Sequence, residues 1–252
     1  MLKIFLAVMI LFLSSGTVSA KNMPKVIPQP EQKIQDVLPH KHSAKCDDTT
    51  AEPVQIVCIL DRSGSMSSLV EDTIGGYNSF IDKQKKESGT AEVTTILFDN
   101  EYEKISDAVN LNDVKELTSA EYYARGTTAL LDAVGMTITE LFGKMEKENI
   151  CPEKRRVIVM IMTDGKENAS MEYSKSMVKS LIEKTQTDYH WNYIFMGANI
   201  DSAAEAGAIG IKREHSANYS HDKKGVAKTF AMMDNAVESM RRSGEVAENW
   251  NE

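Results

Sequence analysis

Three short runs constrain this chain more than anything else in it. Residues 54–60 (VQIVCIL), 156–162 (RVIVMIM) and 192–196 (NYIFM) are rich in β-branched and apolar residues and nearly lack alternating polar side chains. A half-exposed strand alternates apolar and polar residues, whereas a near-continuous apolar run of this length reads as a strand covered on both faces. Amphipathic helical periods lie between and after these runs, over residues 67–86, 128–148, 171–184, 202–208 and 222–242. Gly75-Gly76 inside the first of them signals either close packing or a break. Buried strands alternating with helices imply an α/β, doubly wound, Rossmann-like fold with a mostly parallel central sheet and helices on both faces. Residues 92–98 and 102–109, joined by Asp99-Asn100-Glu101, read as a hairpin that adds one antiparallel edge strand. Residues 215–219 read as a last strand.

The ends of the chain are organised differently. Residues 1–20 have a basic start at Lys3, ten apolar residues over 4–13, and the small pair Val18 and Ala20 at the −3 and −1 positions of a cleavage site. This is the layout of a secretory signal peptide, and the run is short for a membrane span, so an uncleaved anchor is the lesser reading. Residues 21–53 hold four of the six prolines before Pro53, with five lysines balancing five acids, and read as a flexible tether. His40, His42 and Cys46 within it form at most a weak metal tract. Residues 54–252 form one domain, with a core over about 54–212 and a strand and helix extension over 213–252. The expected location is secreted or periplasmic, with no stable membrane span after cleavage.

The formal net charge of the chain is −8, and with Lys3 in the leader and a neutral tether the domain itself carries −9. An acidic body argues against nucleic acid, which needs a basic face. Three cysteines without a C-x-x-C pair exclude a disulfide scaffold and a structural zinc site.

In doubly wound sheets, sites form just beyond the carboxyl ends of the strands. There the chain places Asp61-Arg62-Ser63-Gly64-Ser65, then Gly126-Thr127-Thr128 before the long helix, then Thr163-Asp164-Gly165. Two carboxylates and several hydroxyls make an oxygen-only donor set, which suits a hard divalent cation such as Mg²⁺. Because the protein puts few charges on such an ion, water or an outside ligand must complete its shell.

In these residues the chain resembles the von Willebrand factor type A domains. Asp61-x-Ser63-x-Ser65, a distant threonine and Thr163-Asp164-Gly165 are similar to the metal-ion-dependent adhesion site of that family, in the same order and the same strand–loop context. The resemblance covers residues 54–212, with the final helix as an extension. It implies metal contact by Ser63, Ser65 and Thr128, and a direct or water-mediated role for Asp61 and Asp164. Family sequences often carry Gly-Gly-Thr-Ala-Leu where this chain has Gly126-Thr127-Thr128-Ala129-Leu130, so Thr127 stands at the second glycine. Helix capping is an ordinary alternative role for Asp164 and Thr128.

The family's mode of action implies a protein-binding module in which Mg²⁺, or alternatively Mn²⁺ or Ca²⁺, accepts an Asp or Glu from a partner protein. An acidic body then calls for neutral or basic surroundings on that partner. Arg62, Asp99, Asn100, Arg125, Asn199 and Asp201 lie near the same edge as candidate rim residues. Catalytic residues are not expected. The enzyme alternative, a Mg²⁺-dependent phosphatase-like hydrolase using Asp61, has Ser63 where a second aspartate is normal. A structural domain with a vestigial site is the third reading. His190, His215 and His221 read as surface or packing residues. Cys58 reads as a buried small apolar residue. If the first and second buried strands are neighbours, as the family sheet order implies, a Cys46–Cys151 disulfide would tie the tether to the domain.

Overall fold

The computed structural model describes residues 53–148, 150 and 154–252. The leader, the tether up to residue 52, and both members of the Cys46–Cys151 pair lie outside the described residues.

Six strands form one sheet: β1 (Val54–Asp61), β2 (Ala91–Phe98), β3 (Tyr102–Asn110), β4 (Val157–Thr163), β5 (Asn192–Gly197) and β6 (Ser216–Asn218). Their order is β3-β2-β1-β4-β5-β6, with all neighbours parallel except the β2–β3 hairpin. The three apolar runs are therefore the sheet centre. Along β1, Ile56, Cys58 and Leu60 point to one face and Val57 and Ile59 to the other, all with 0% exposure. Burying such side chains contributes about 1.5–3 kcal/mol each, which is why these runs cannot sit at an edge. β3, by contrast, is half-exposed along its length, as an edge strand must be.

The first face is covered by α1 (Val70–Gln84) and α5 (Lys223–Ser243), which contribute Tyr77, Phe80 and Ile81, and Val226, Met233 and Val237. The Gly75-Gly76 signal resolves as close packing: a Cβ on Gly76 would overlap the ring of Phe230 in α5. Residues 213–252 thus carry β6 and α5, and α5 closes the core. The second face is covered by α2 (Leu130–Lys147), α3 (Lys175–Tyr189) and α4 (Ser202–Ala208), through residues such as Val134, Phe142, Val178 and Ala206.

Two helices differ in their boundaries from the sequence reading for identifiable reasons. The first helix is split, with a 3₁₀ turn over Gly64–Leu69 preceding α1. The third begins at Lys175 rather than 171, because the Asp132 carboxylate in α2 accepts the N–H groups of Met171, Glu172 and Tyr173, and Ser174 then caps α3. It continues past Lys184, since Thr185 and Tyr189 extend its buried stripe. No helix among the described residues is long and apolar enough to cross a membrane.

Candidate metal centre

β1 and β4 are adjacent, and their carboxyl ends deliver the two aspartates side by side. Asp61 is fully buried. Its Oδ1 accepts the Ser63 N–H at 2.7 Å and its Oδ2 accepts the Thr163 hydroxyl at 2.6 Å. All of these partners are neutral, and among the described residues Asp61 pairs with no cation. Burial pushes its carboxyl up to about 6, against the lowering pull of the bonds from Thr163 and Ser63, and the nearby Asp164 charge adds to the rise.

The Ser63 and Ser65 hydroxyls are 3.1 Å apart, and Ser65 donates to Asp164 Oδ1 at 2.5 Å. Opposite them, the open side of Gly165 faces Thr128 Oγ1 and Ser65 Oγ, which lie 3.6 and 3.8 Å from where a Cβ would stand. Asp61, Ser63, Ser65, Thr128 and Asp164 therefore meet in one crater, with Ser65 and Gly64 at its exposed lip. Thr128 is buried and faces inward while Thr127 is exposed. Thr127 also keeps an ordinary negative φ, so it is Gly126, at φ +67°, that needs glycine in this loop.

Three devices hold the crater. The Asn168 Oδ1 accepts the Thr128 N–H, and Asn168 N–H donates back to the Thr128 carbonyl. Glu167 takes the Leu131 N–H and the Ser170 hydroxyl and N–H, so the loop after β4 is sewn to the start of α2. Tyr122, fully buried, donates to the Asp61 carbonyl at 2.5 Å. These bonds correct the capping roles: Glu167 and Ser170 serve the first turn of α2, and Ser174 caps α3, which frees Asp164 and Thr128 for the crater.

The rim differs from the sequence reading. Arg62 is fully buried: its Nε meets Asp99 Oδ2 at 3.0 Å and its Nη1 meets Glu103 Oε2 at 2.6 Å. Asp99 is fully buried too, and also takes Arg125 Nε at 2.7 Å. Both are therefore internal struts, because a long cation and a carboxylate at adjacent strand ends satisfy each other when covered. Arg125, Asn100, Asn199 and Asp201 remain partly or fully exposed, although Asp201 is occupied in capping α4. Tyr123, 43% exposed, lies under the guanidinium groups of Arg62 and Arg125 and was not singled out in the sequence. His221, read as a surface or packing residue, packs beside the site: its Nε2 stands 2.8 Å from Asp164 Oδ2. Cys58 is buried as expected, and burial pushes its thiol up to about 12.

A mostly parallel doubly wound sheet covered by helices on both faces, with oxygen donors gathered at its carboxyl edge, defines a Rossmann-like α/β domain. The chain belongs to the von Willebrand factor type A domain family, whose model matches residues 55–232. It is similar to a von Willebrand factor type A protein from Catenulispora acidiphila (15% identity, TM-score 0.53, 75% of this chain and 44% of that one). It is also similar to proximal thread matrix protein 1 from the mussel byssus (14% identity, TM-score 0.52, 71% of this chain and 44% of that one). A further structure of the mussel protein, with a zinc-occupied MIDAS motif, matches at 13% identity and TM-score 0.52, over 73% of this chain and 47% of that one. The chain spans less than half the length of these structures, and at such identities the likeness carries the fold. No curated protein sequence matches it.

Proposed function

We propose that this is an exported, metal-dependent protein-binding module, with Mg²⁺ held by Asp61, Ser63, Ser65, Thr128 and Asp164. The observation that carries the reading is the electrostatics of Asp61. A carboxylate buried with only neutral donors is costly, and a cation in the crater removes that cost. The donor chemistry fits: two carboxylates and three hydroxyls are hard oxygens, and their number leaves part of an octahedral shell to water or an outside ligand. When bound, the ion supplies an open coordination position for a carboxylate oxygen of a partner protein. The chain's own residues do the rest. Asn168 fixes Thr128, and Thr163 and the Ser63 N–H fix Asp61, with Arg125, Asn100 and Asn199 as the candidate rim. The domain's acidity favours a partner whose acidic anchor lies in neutral or basic surroundings.

Both oxygens of Asp61 are engaged in holding bonds, which suits a positioning role better than a phosphatase nucleophile. The test is thermal unfolding with millimolar Mg²⁺ or Mn²⁺. A ligand at 100 times its Kd stabilises by about 2.7 kcal/mol, and the expected rise in Tm vanishes in Asp61→Ala. A folded protein whose Tm ignores both ions would leave the vestigial reading standing, and phosphatase activity lost in Asp61→Asn would favour the enzyme.

A further inference from the structure

Among the described residues, two large apolar side chains are left exposed, Tyr123 at 43% and Met171 at 91%. One exposed apolar side chain is ordinary on a protein surface, so the informative point is where these two stand. Tyr123 belongs to the segment between β3 and α2 that leads into Gly126 and Thr128. Met171 belongs to the loop between β4 and α3 that begins at Asp164. Both segments build the crater.

Neither side chain is exposed because its loop is loose. The Arg125 N–H donates to the Arg62 carbonyl at 2.9 Å and the Gly64 N–H to the Gly126 carbonyl at 3.2 Å, which ties the Tyr123 segment to the crater loop. The Tyr123 ring rests on two guanidinium groups, with Arg62 Cζ 5.6 Å and Arg125 Cζ 5.2 Å from its centre, and its hydroxyl accepts from Arg125 Nη1 at 3.2 Å. In the other loop, Met171 follows closely on Asn168, which pairs with Thr128 in both directions. The Met171 N–H donates to the Asp132 carboxylate at 2.8 Å, and those of Glu172 and Tyr173 donate to it at 2.9 and 2.7 Å. The Met171 side chain takes no part in these bonds, so folding leaves it in water on a fixed backbone.

The charges next to these side chains are already spent. Arg125 is paired with Asp99 and Glu101, and Arg62 with Asp99 and Glu103. Beside Met171, Asp132 and Glu167 are turned to backbone N–H groups. These carboxylates give a basic partner little to pair with, whereas the aromatic face and the thioether chain stand ready for contact. Tyrosine and methionine are enriched at protein interfaces, and an apolar side chain on a pre-organised backbone loses little entropy when it is covered. Resting on the metal-site reading above, we infer that Tyr123 and Met171 are the apolar contact points for the partner, and that the partner is a protein whose anchoring carboxylate is flanked by apolar side chains and not by basic ones.

The test uses a displayed library of random peptides with a fixed central aspartate, panned on the chain in millimolar Mg²⁺ and eluted with chelator. Aromatic and aliphatic residues are expected to be enriched beside the aspartate. A recovered peptide, made synthetically, is expected to bind about 10-fold more weakly to Tyr123→Ser and to Met171→Ser. The Tm of each variant shows that it is folded. Met171→Ser is the cleaner of the two, because the bonds of that loop are made by its backbone. Basic flanks, or flanks of library composition, would overturn the inference, as would peptides that bind both variants as tightly as the unmodified chain. A metal-dependent rise in Tm with no peptide recovered would overturn it too and leave the metal-site reading intact. If the Tm ignores the metal and chelator elutes nothing, the metal-site reading itself fails and takes this inference with it.

Discussion

Two buried aspartates stand at the carboxyl ends of adjacent strands, and their surroundings are opposite. Asp61 closes β1 and Asp99 follows β2, and both have 0% exposure. Asp99 is met by two guanidinium groups, Arg62 at 3.0 Å and Arg125 at 2.7 Å, and by the Glu101 N–H. Asp61 has a hydroxyl and a backbone N–H and no cation among the described residues. Elementary electrostatics makes the second arrangement unfavourable unless a positive charge is supplied later. The Asp99 corner is therefore a finished internal ion pair. The Asp61 corner has no countercharge among the described residues, and the proposed cation would supply one.

Removing the finished pair should have the largest effect. Asp99→Ala leaves the buried Arg62 with only Glu103 and a carbonyl, and breaking such a pair costs about 3–5 kcal/mol. Urea unfolding measures this, and a loss below about 1 kcal/mol would break the contrast between the corners.

The Asp61 corner should respond to pH instead. Its folded pKa of about 6 lies above the ordinary value of 3.8. The folded state therefore resists ionisation. In chelator, the contribution of Asp61 to stability should be fully present below about pH 4 and be lost as pH rises through about 6, by about 3 kcal/mol in total. Asp61→Asn should flatten that decline, and added divalent cation should offset it in the unmodified chain. An Asp61→Asn variant whose pH profile matches that of the unmodified chain in chelator would mean that Asp61 is compensated after all.

The smallest effect belongs to Arg125→Ala. Its side chain is 35% exposed and Arg62 still neutralises Asp99, so the expected loss in the same urea experiment is that of an exposed ion pair, well below that of Asp99→Ala. A cost rivalling that of Asp99→Ala would show that Arg125, and not the buried Arg62, carries the corner.

Much of the site was readable because its signals are local. Asp61 ends one buried strand with Ser63 and Ser65 just after it, Asp164 follows another, and strand-end placement alone brings them to one edge. Arg62 shows where such reading stops. Within the loop it looks like any rim cation, and only its contact with Asp99 and Glu103 turns it inward. Glu167 and Asn168 look like ordinary loop polars, yet they bind backbone groups of 131 and 128. The third helix began late for a related reason, since Asp132 captured N–H groups that the helical period had claimed.

By itself the sequence determined the alternation of buried strands and amphipathic helices, the antiparallel edge, and the order of oxygen donors along the chain. Each is written in periodicity or in residues a few positions apart, which local physics reads directly. Only the tertiary structure decided that Arg62 and Asp99 are internal, that Gly76 admits the Phe230 ring, and that His221 joins Asp164. Those outcomes depend on which side chains from distant segments share a dry space, and no local period encodes that. The choice is made by desolvation: a charge covered by the fold must find its partner there, wherever in the chain that partner lies.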